Sequence, residues 1–177
     1  MAFPYDPEQP VPDPLTPEAA ARVLAERRQS LPAWIEASRD SVVYLGDLSR
    51  WDPPETLLHH PSHGLTHMST ICELEDLTPF TMMGYDPFDV LLTNYCAEYM
   101  FSDVGGTWVL DEDPESPTFG RFLIGGFSAD RPEATVDVYA AVTAFLAEPE
   151  GRELETLLES LQEAMGAPVG VTDTSFP

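Results

Sequence analysis

One short segment carries the residues most suited to binding a transition metal. The run LLHHPSHGLTH contains every histidine of the chain, and the first cysteine follows the last histidine by five residues. Imidazole and thiolate are the side chains that zinc and neighbouring transition metals prefer as ligands. The candidate metal ligands are therefore His60, His63, His67 and Cys72, with zinc or another transition metal as the candidate cofactor.

The spacing of these histidines departs from the helical zinc motif. In H-E-x-x-H, two histidines share one helical face, and the glutamate between them acts as general base. Here Pro61 and Gly64 interrupt the run, and no glutamate lies within it. Because both residues disfavour a regular helix, the sequence also allows a second interpretation, a surface or interface loop that binds no metal.

Covalent catalysis has little support in the sequence. Cys72 and Cys96 are the only cysteines, and neither lies in a C-x-x-C pattern or in a glycine-rich elbow. Cys96 falls on the apolar stripe of a predicted helix, which indicates a core position. The chain contains no lysine, which excludes a Schiff base and a P-loop lysine. No catalytic residue is predicted, and a non-enzymatic protein is the favoured interpretation.

The charge balance is the strongest property of the whole chain. Its 177 residues include 31 acidic residues against 8 arginines, for a formal net charge of −23 at pH 7. Such a field repels phosphates, so nucleic acid is not an expected partner. A basic protein would be attracted, and its association would be accelerated. Solubility or adaptation of the lineage is the competing explanation for the acidity.

Two groups of carboxylates are the candidate contacts for a basic partner. The first group lies in the turn of a predicted hairpin, and the second lies on the last predicted helix. They comprise Asp111, Glu112, Asp113 and Glu115 in the turn, and Glu153, Glu155 and Glu159 on the helix. The turn has neither the spacing nor the glycine of an EF-hand loop, so calcium is not expected there.

The chain is predicted to form one domain with two flanking segments. Residues 1–15, rich in proline and acids, form an extended lead-in, residues 16–166 form the globular domain, and residues 167–177 form a tail. No apolar run is long enough to cross a membrane. The N-terminus lacks the basic start and apolar core of a secretory signal peptide. We therefore expect a cytoplasmic protein without a membrane partner.

The N-terminal half is predicted to combine a helix with a long irregular region. The helix begins with Pro17 at its first position and is expected to stop and restart near Pro32. Residues 41–46 fit either a short strand or the end of a helix. Residues 51–84 contain four prolines and are expected to be irregular, with a short strand near residues 66–75.

The middle of the chain has clearer periodicity. A helix is predicted to begin at Asp86-Pro87 and to stop at the glycine pair that starts with Gly105. Its apolar stripe consists of Phe88, Leu91, Leu92, Tyr95, Cys96 and Tyr99. A hairpin follows, with arms at residues 108–110 and 119–124 and an acidic turn between them.

Two further helices are predicted to close the domain. They cover residues 133–149 and 151–165, and Gly166 stands at a favourable C-terminal position. The sum of these elements is an α+β protein. We predict a single domain with N-terminal and C-terminal helices around a small antiparallel sheet.

The most specific stretch is YCAEYMFSDVGGTWVLDEDPESPTFGRFLIGGF, in which a helix leads through a glycine pair into a W-V strand. It resembles small uncharacterised domains that are common in actinobacterial genomes. In size, acidity and helix-plus-hairpin layout, residues 86–165 are also similar to immunity proteins that neutralise bacterial toxins. This resemblance in layout implies a binding role without a catalytic residue, in which the acidic surface captures a basic toxin.

The favoured hypothesis is an acidic, immunity-type binding module that inhibits a basic partner protein. Electrostatic steering would bring the partner in, and occlusion of the partner's site would inhibit it. One alternative is a metal-binding protein or metal-dependent enzyme that uses the histidine cluster. Another is a DNA mimic, whose carboxylates would have to stand at phosphate-like spacing on one face.

Overall fold

The computed structural model describes residues 15–74, 87–127, 134–149 and 151–166. Its helices are α1 (Pro17–Leu48), α2 (Thr56–His59), a 3-10 helix (Pro61–Gly64), α3 (Leu65–Cys72), α4 (Phe88–Val104), α5 (Val138–Leu146) and α6 (Leu154–Met165). The strands β1 (Thr107–Leu110), β2 (Phe122–Gly125) and β3 (Thr135–Val136) form one antiparallel sheet in that order. The predicted α+β class is therefore confirmed. The predicted tail, and all but Leu15 of the predicted lead-in, lie outside the described residues.

Helix α4 forms the centre of the structure because it is buried on nearly every side. Ten of its 17 residues are buried, and they include Thr93 and Asn94, which lie outside the predicted apolar stripe. Helices α1, α2, α5 and α6 all pack against it. The predicted helix is confirmed, but a single stripe is too narrow a description for a helix with neighbours on several faces. Gly105 ends the helix at a φ of 81°, which glycine adopts without strain.

Helix α1 runs through the position at which the sequence predicts a break. Thr16 caps its start by accepting a hydrogen bond from the backbone N–H of Ala19 at 3.2 Å. The predicted stop and restart is wrong, because Pro32 lies inside the helix. Pro32 and Arg28, one turn earlier, are both exposed, so an unpaired carbonyl group can face solvent there. Residues 41–46, which fit strand or helix, belong to the last turns of α1.

The segment between α1 and α4 is helical over most of the part that the structure describes. The predicted strand near residues 66–75 is wrong, and α2, the 3-10 helix and α3 replace much of the predicted irregular region. Leu65, Met68 and Cys72 are buried at helical spacing. Their burial favours the helix more than the nearby prolines disfavour it. Pro61 stands at the start of the 3-10 helix, where proline loses no hydrogen bond.

The predicted hairpin is confirmed, and a third strand joins it. β1 pairs with β2 in antiparallel register, with Trp108 opposite Ile124, and β3 pairs with the other edge of β2. β3 replaces the start of the helix predicted at residues 133–149, because its two β-branched residues favour a strand. Helix α5 therefore begins later, where Asp137 accepts a hydrogen bond from the backbone N–H of Ala140 at 2.9 Å.

Aromatic side chains join the sheet to the helices. Trp34 of α1 meets Trp108 of β1 edge to face, with ring centroids 5.4 Å apart, and Phe122 of β2 also lies 5.4 Å from Trp34. The last predicted helix is confirmed as α6, although it begins at Leu154 rather than at residue 151. It is capped by Gly166, which is left-handed with a φ of 70°. Within the described residues, no helix is both long and apolar enough to cross a membrane, including the 32-residue α1.

Candidate functional site

The histidine cluster is spread over several short elements. His59 ends α2, His60 follows it, His63 lies in the 3-10 helix, and His67 lies on α3. The rings of His60 and His63 are stacked, with centroids 5.0 Å apart and planes inclined by 22°. A metal ion binds an imidazole nitrogen in the plane of its ring. A stacked pair therefore directs its two sets of lone pairs side by side, away from a shared point between the rings.

The four candidate metal ligands do not converge on one point. Among the described residues, no group of three His, Cys, Asp or Glu side chains is arranged to hold a metal ion. His60 and His63 form the stacked pair, His67 borders an apolar cavity, and Cys72 is fully buried at the end of α3. A stable transition-metal site needs three or four donors around one point, and the described part of the chain assembles two imidazoles at most.

Both cysteine thiols are placed in the apolar core. Burial raises the pKa of Cys72 to about 12, partly opposed by the nearby charge of Arg152, and burial raises the pKa of Cys96 well above its usual range. Because the thiolate is the nucleophile and the metal ligand, these thiols remain protonated at neutral pH. They have the properties of core residues rather than those of a reactive cysteine.

Asp111, one of the candidate carboxylates of the hairpin turn, stabilises the turn by accepting hydrogen bonds within it. Asp111 Oδ2 accepts hydrogen bonds from the hydroxyl groups of Ser116 at 2.5 Å and Thr118 at 2.6 Å. Its other oxygen accepts the backbone N–H of Asp113 at 3.1 Å. Both oxygens of Asp111 are thus engaged within the turn, which makes this residue a structural element of the hairpin.

A second carboxylate of the turn is neutralised by an arginine from α1. Glu112 accepts two hydrogen bonds from Arg28, from Nε at 2.8 Å and from Nη2 at 2.7 Å. This bidentate contact lowers the pKa of Glu112, chiefly through the hydrogen bond. Asp113 accepts the backbone N–H of Glu115 at 3.0 Å. Of the four acids predicted to contact a partner here, only the side chain of Glu115 forms no hydrogen bond or ion pair with another described residue.

The carboxylates of α6 point away from the core because the helix is strongly amphipathic. Leu154, Leu157, Leu158, Leu161 and Met165 are buried on one face, as their spacing predicts. Glu153, Glu159 and Glu163 are exposed, and Glu155 is half-buried, where it accepts a hydrogen bond from Ser69 at 2.8 Å. None of these four carboxylates forms an ion pair with a described residue.

The arginine closest to α6 in sequence does not compensate these acids. Arg152 is 3% exposed, and its guanidinium group donates hydrogen bonds to three backbone carbonyl groups. Nε donates to Cys72 at 2.9 Å, and the terminal nitrogens donate to Glu148 and Leu74. The carbonyl of Cys72 belongs to the last residue of α3, and those of Leu74 and Glu148 come shortly after the ends of α3 and α5. The negative ends of the helix dipoles favour a cation at these positions. The positive charge therefore stabilises helix ends, and the exposed carboxylates of α6 have no counter-ion among the described residues.

A groove of about 420 Å³ lies between α5 and α6. Its apolar lining residues include Ala144, Phe145 and Leu157, and its polar lining residues are Glu148, Glu153, Thr156 and Ser160. The hydroxyl of Thr156 donates to Glu153 at 3.3 Å, and that of Ser160 donates to the carbonyl of Thr156 at 2.8 Å. Because both hydroxyl hydrogens are already used, the groove presents hydrogen-bond acceptors and negative charge.

Carboxylates of both helices lie near the interface between α6 and α4. The pKa of Tyr99 is raised to about 12, mainly by burial and then by the charges of Asp103 and Glu155. Asp103 in turn accepts a hydrogen bond from Gln162 of α6 at 2.6 Å. Carboxylates thus lie along both the α5 side and the α4 side of α6.

Sequence reasoning identified only part of this surface. The sequence predicts Glu153, Glu155 and Glu159. Glu153 stands at the N-cap of α6, and Glu155 and Glu159 lie on the helix, with only Glu155 half-buried. The groove itself and Glu148 were missed, because they depend on how α5 packs beside α6. Comparison with protein-family models, with curated protein sequences and with solved structures finds no match to this chain.

Proposed function

We propose that this chain is an acidic, immunity-type binding module that inhibits a basic partner protein. The contact surface that we propose is the groove between α5 and α6 together with the exposed carboxylates of α6. The observation that carries the proposal is the composition of the groove. It combines an apolar surface with two glutamates that form no ion pair with a described residue and two hydroxyl groups that are left only as acceptors.

This composition matches the chemistry of an arginine or lysine side chain. The aliphatic stem of such a side chain would lie on Phe145 and Leu157, as long basic side chains commonly do on apolar surface. Its charged head, which can only donate hydrogen bonds, would meet Glu148 and Glu153. A charge-assisted hydrogen bond is stronger than a neutral one, so this contact would anchor the partner.

The net charge of −23 supports the approach of a basic partner. Its field would steer the partner over distances up to the Debye length, roughly 8 Å at physiological salt. Occlusion of the partner's active surface would then follow from the bound geometry, without any catalytic residue. A cytoplasmic location and a toxin as the partner belong to the same proposal.

The groove and α6 carry more weight in this proposal than the hairpin turn. Asp111 is engaged within the turn, and Glu112 is neutralised by Arg28. A basic group of a partner would have to displace Arg28 to bind Glu112. Replacing one exposed ion pair by another contributes little to the free energy of binding. Glu115 remains as a peripheral contact.

The test begins with the intact chain immobilised as bait for proteins from its own source organism. The retained protein is identified by mass spectrometry, and its dissociation constant is measured by calorimetry with purified components. We expect a basic protein whose binding weakens steeply between about 50 mM and about 500 mM salt. An affinity that does not depend on salt, or the capture of acidic proteins only, would contradict the proposal.

A pair of matched variants locates the contact surface. Glu148→Gln with Glu153→Gln removes both groove carboxylates, and Glu26→Gln with Glu36→Gln removes the same charge from exposed positions on α1. We expect the groove variant to weaken binding at least about tenfold and the α1 variant to change it about twofold or less. Equal effects would mean that the net field, and no particular groove, holds the partner. Competition by duplex DNA for the same partner would instead favour the DNA-mimic alternative.

A further inference from the structure

A separate cavity of about 240 Å³ lies between the end of α1, α3 and the start of α4. It shares no lining residue with the groove between α5 and α6. Its walls are apolar and consist of Leu45, Leu48, Ile71, Phe88 and Leu91. Among the described lining residues, Ser49 and His67 are the polar ones.

His67 is the member of the histidine cluster that borders this cavity. It is exposed, and its imidazole ring makes no hydrogen bond, ion pair or ring contact with another described residue. The imidazole ring can donate or accept a hydrogen bond. A cavity with apolar walls and one or two polar groups at its border has the composition of a small-molecule site, in which the polar groups orient the ligand.

The size of the cavity limits the ligand. An apolar cavity of about 150 Å³ binds benzene, so a volume of about 240 Å³ can hold one aromatic ring with a few additional atoms. The net charge of −23 repels anions, and none of the described lining residues carries a carboxylate that could hold a cation. An uncharged aromatic molecule therefore fits better than an aromatic acid or an aromatic amine.

We propose that this cavity binds a small uncharged aromatic molecule with one hydrogen-bonding N–H or O–H group, in the size range of indole or a substituted phenol. The ring would lie among Leu48, Phe88 and Leu91. His67 would accept the hydrogen bond of the ligand at the border of the cavity. This binding site is independent of the proposed protein partner, so either proposal can fail without the other.

Indole is the first probe, and the histidine ring signals of the intact protein are the readout. Protein with ¹⁵N-labelled histidine is titrated with indole and followed by long-range ¹H–¹⁵N NMR. We expect the ring signals of His67 to shift to saturation, while those of the exposed His59 stay unchanged. Equal shifts for both histidines, or no saturation up to the solubility limit of indole, would overturn the proposal.

Two tryptophan variants test whether the cavity itself holds the probe. Leu48→Trp fills the cavity from a half-buried position on α1, and Leu24→Trp places the same side chain at a half-buried position near the start of that helix. We expect Leu48→Trp to abolish the saturable shift and Leu24→Trp to retain it. Circular dichroism and thermal unfolding establish that both variants are folded. Indole binding that survives in a folded Leu48→Trp variant would overturn the proposal.

The role of His67 is tested with a second ligand and with the variant His67→Ala, which leaves the core unchanged. The second ligand, 1-methylindole, has the same ring system as indole but lacks its N–H group. We expect indole to bind about fivefold more tightly than 1-methylindole, a ratio that corresponds to one hydrogen bond. This preference should disappear in His67→Ala and remain in His59→Ala, with ligand binding followed by calorimetry. A preference that persists in His67→Ala would exclude His67 as the orienting group.

Discussion

The hairpin turn and helix α6 carry similar numbers of acids but use them in opposite ways. In the turn, Asp111 holds two hydroxyl groups and Glu112 holds Arg28. On α6, the exposed carboxylates of Glu159 and Glu163 have no ion pair with any described residue. The two regions are similar in acidic composition, but their carboxylates have different structural roles. The difference follows from the groups with which each carboxylate interacts.

The position of Arg152 strengthens this contrast. An arginine directly beside the acids of α6 would ordinarily be expected to pair with them. Here its side chain turns inward and binds backbone carbonyl groups near the ends of α3 and α5. The fold thus uses a scarce positive charge for stability and leaves the adjacent surface negative. We interpret this surface as available for a partner, and the turn as part of the scaffold.

The largest expected effect follows from removing Arg152. Arg152→Met removes three hydrogen bonds from a buried, charged donor. It leaves the carbonyl of the buried Cys72 unpaired, whereas water can reach the exposed Leu74 and Glu148. We expect the free energy of unfolding to fall by about 3 kcal/mol or more, measured by urea denaturation followed by circular dichroism. Arg22→Met is the control, because Arg22 is exposed on α1. If both variants unfold at the same urea concentration, Arg152 does not stabilise the helix ends.

A smaller effect separates the turn from α6 directly. Asp111→Ala removes the acceptor of two hydroxyl groups and one backbone N–H, so we expect a loss of about 2 kcal/mol in the free energy of unfolding. Glu159→Ala should change that free energy by less than about 0.5 kcal/mol, since Glu155 and Glu163 repel Glu159 along the helix. Chemical denaturation of both variants at one pH measures the difference. Equal destabilisation would show that the two groups of acids have the same structural role.

Much of the fold could be predicted because its clearest elements have strong local signals. The helix that ends at Gly105, the hairpin and α6 each combine a regular apolar period with a suitable stop residue. Helix α3 was missed because its apolar pattern spans only two turns beside several prolines. β3 was missed because a strand of two residues has no detectable period. Prediction thus failed where tertiary contacts, rather than local pattern, decide the structure.

The candidate site was less predictable than the fold for a related reason. The sequence shows which residues are acidic, but it does not show which acids already have a partner. Glu112 meets Arg28 across 84 positions of the chain, a distance over which no periodicity connects two residues. The groove forms only because α5 packs beside α6. The side chain of Arg152 can point inward only because the ends of α3 and α5 lie close to each other.

The smallest expected effect concerns the ion pair between Glu112 and Arg28. The contact lowers the pKa of Glu112 in the folded state, so the folded state binds protons less readily at this site than the unfolded state. Its contribution to stability is therefore present above the unfolded pKa of about 4.3. That contribution is lost as the pH falls through the folded pKa. Wild type and Glu112→Gln should differ in stability at pH 7 and converge in acid.

A control in the same turn distinguishes this ion pair from general charge repulsion. Glu112→Gln and Glu115→Gln each remove one negative charge from a chain of net charge −23, so both relieve the same long-range repulsion. Only Glu112→Gln also breaks a bidentate contact. Thermal unfolding at pH 7 should therefore show Glu112→Gln to be the less stable of the two variants. The difference in stability should become smaller in about 1 M salt, because salt screens the ion pair. Superimposable unfolding curves would mean that the exposed pair contributes nothing, and that Glu112, like the acids of α6, is available to a partner.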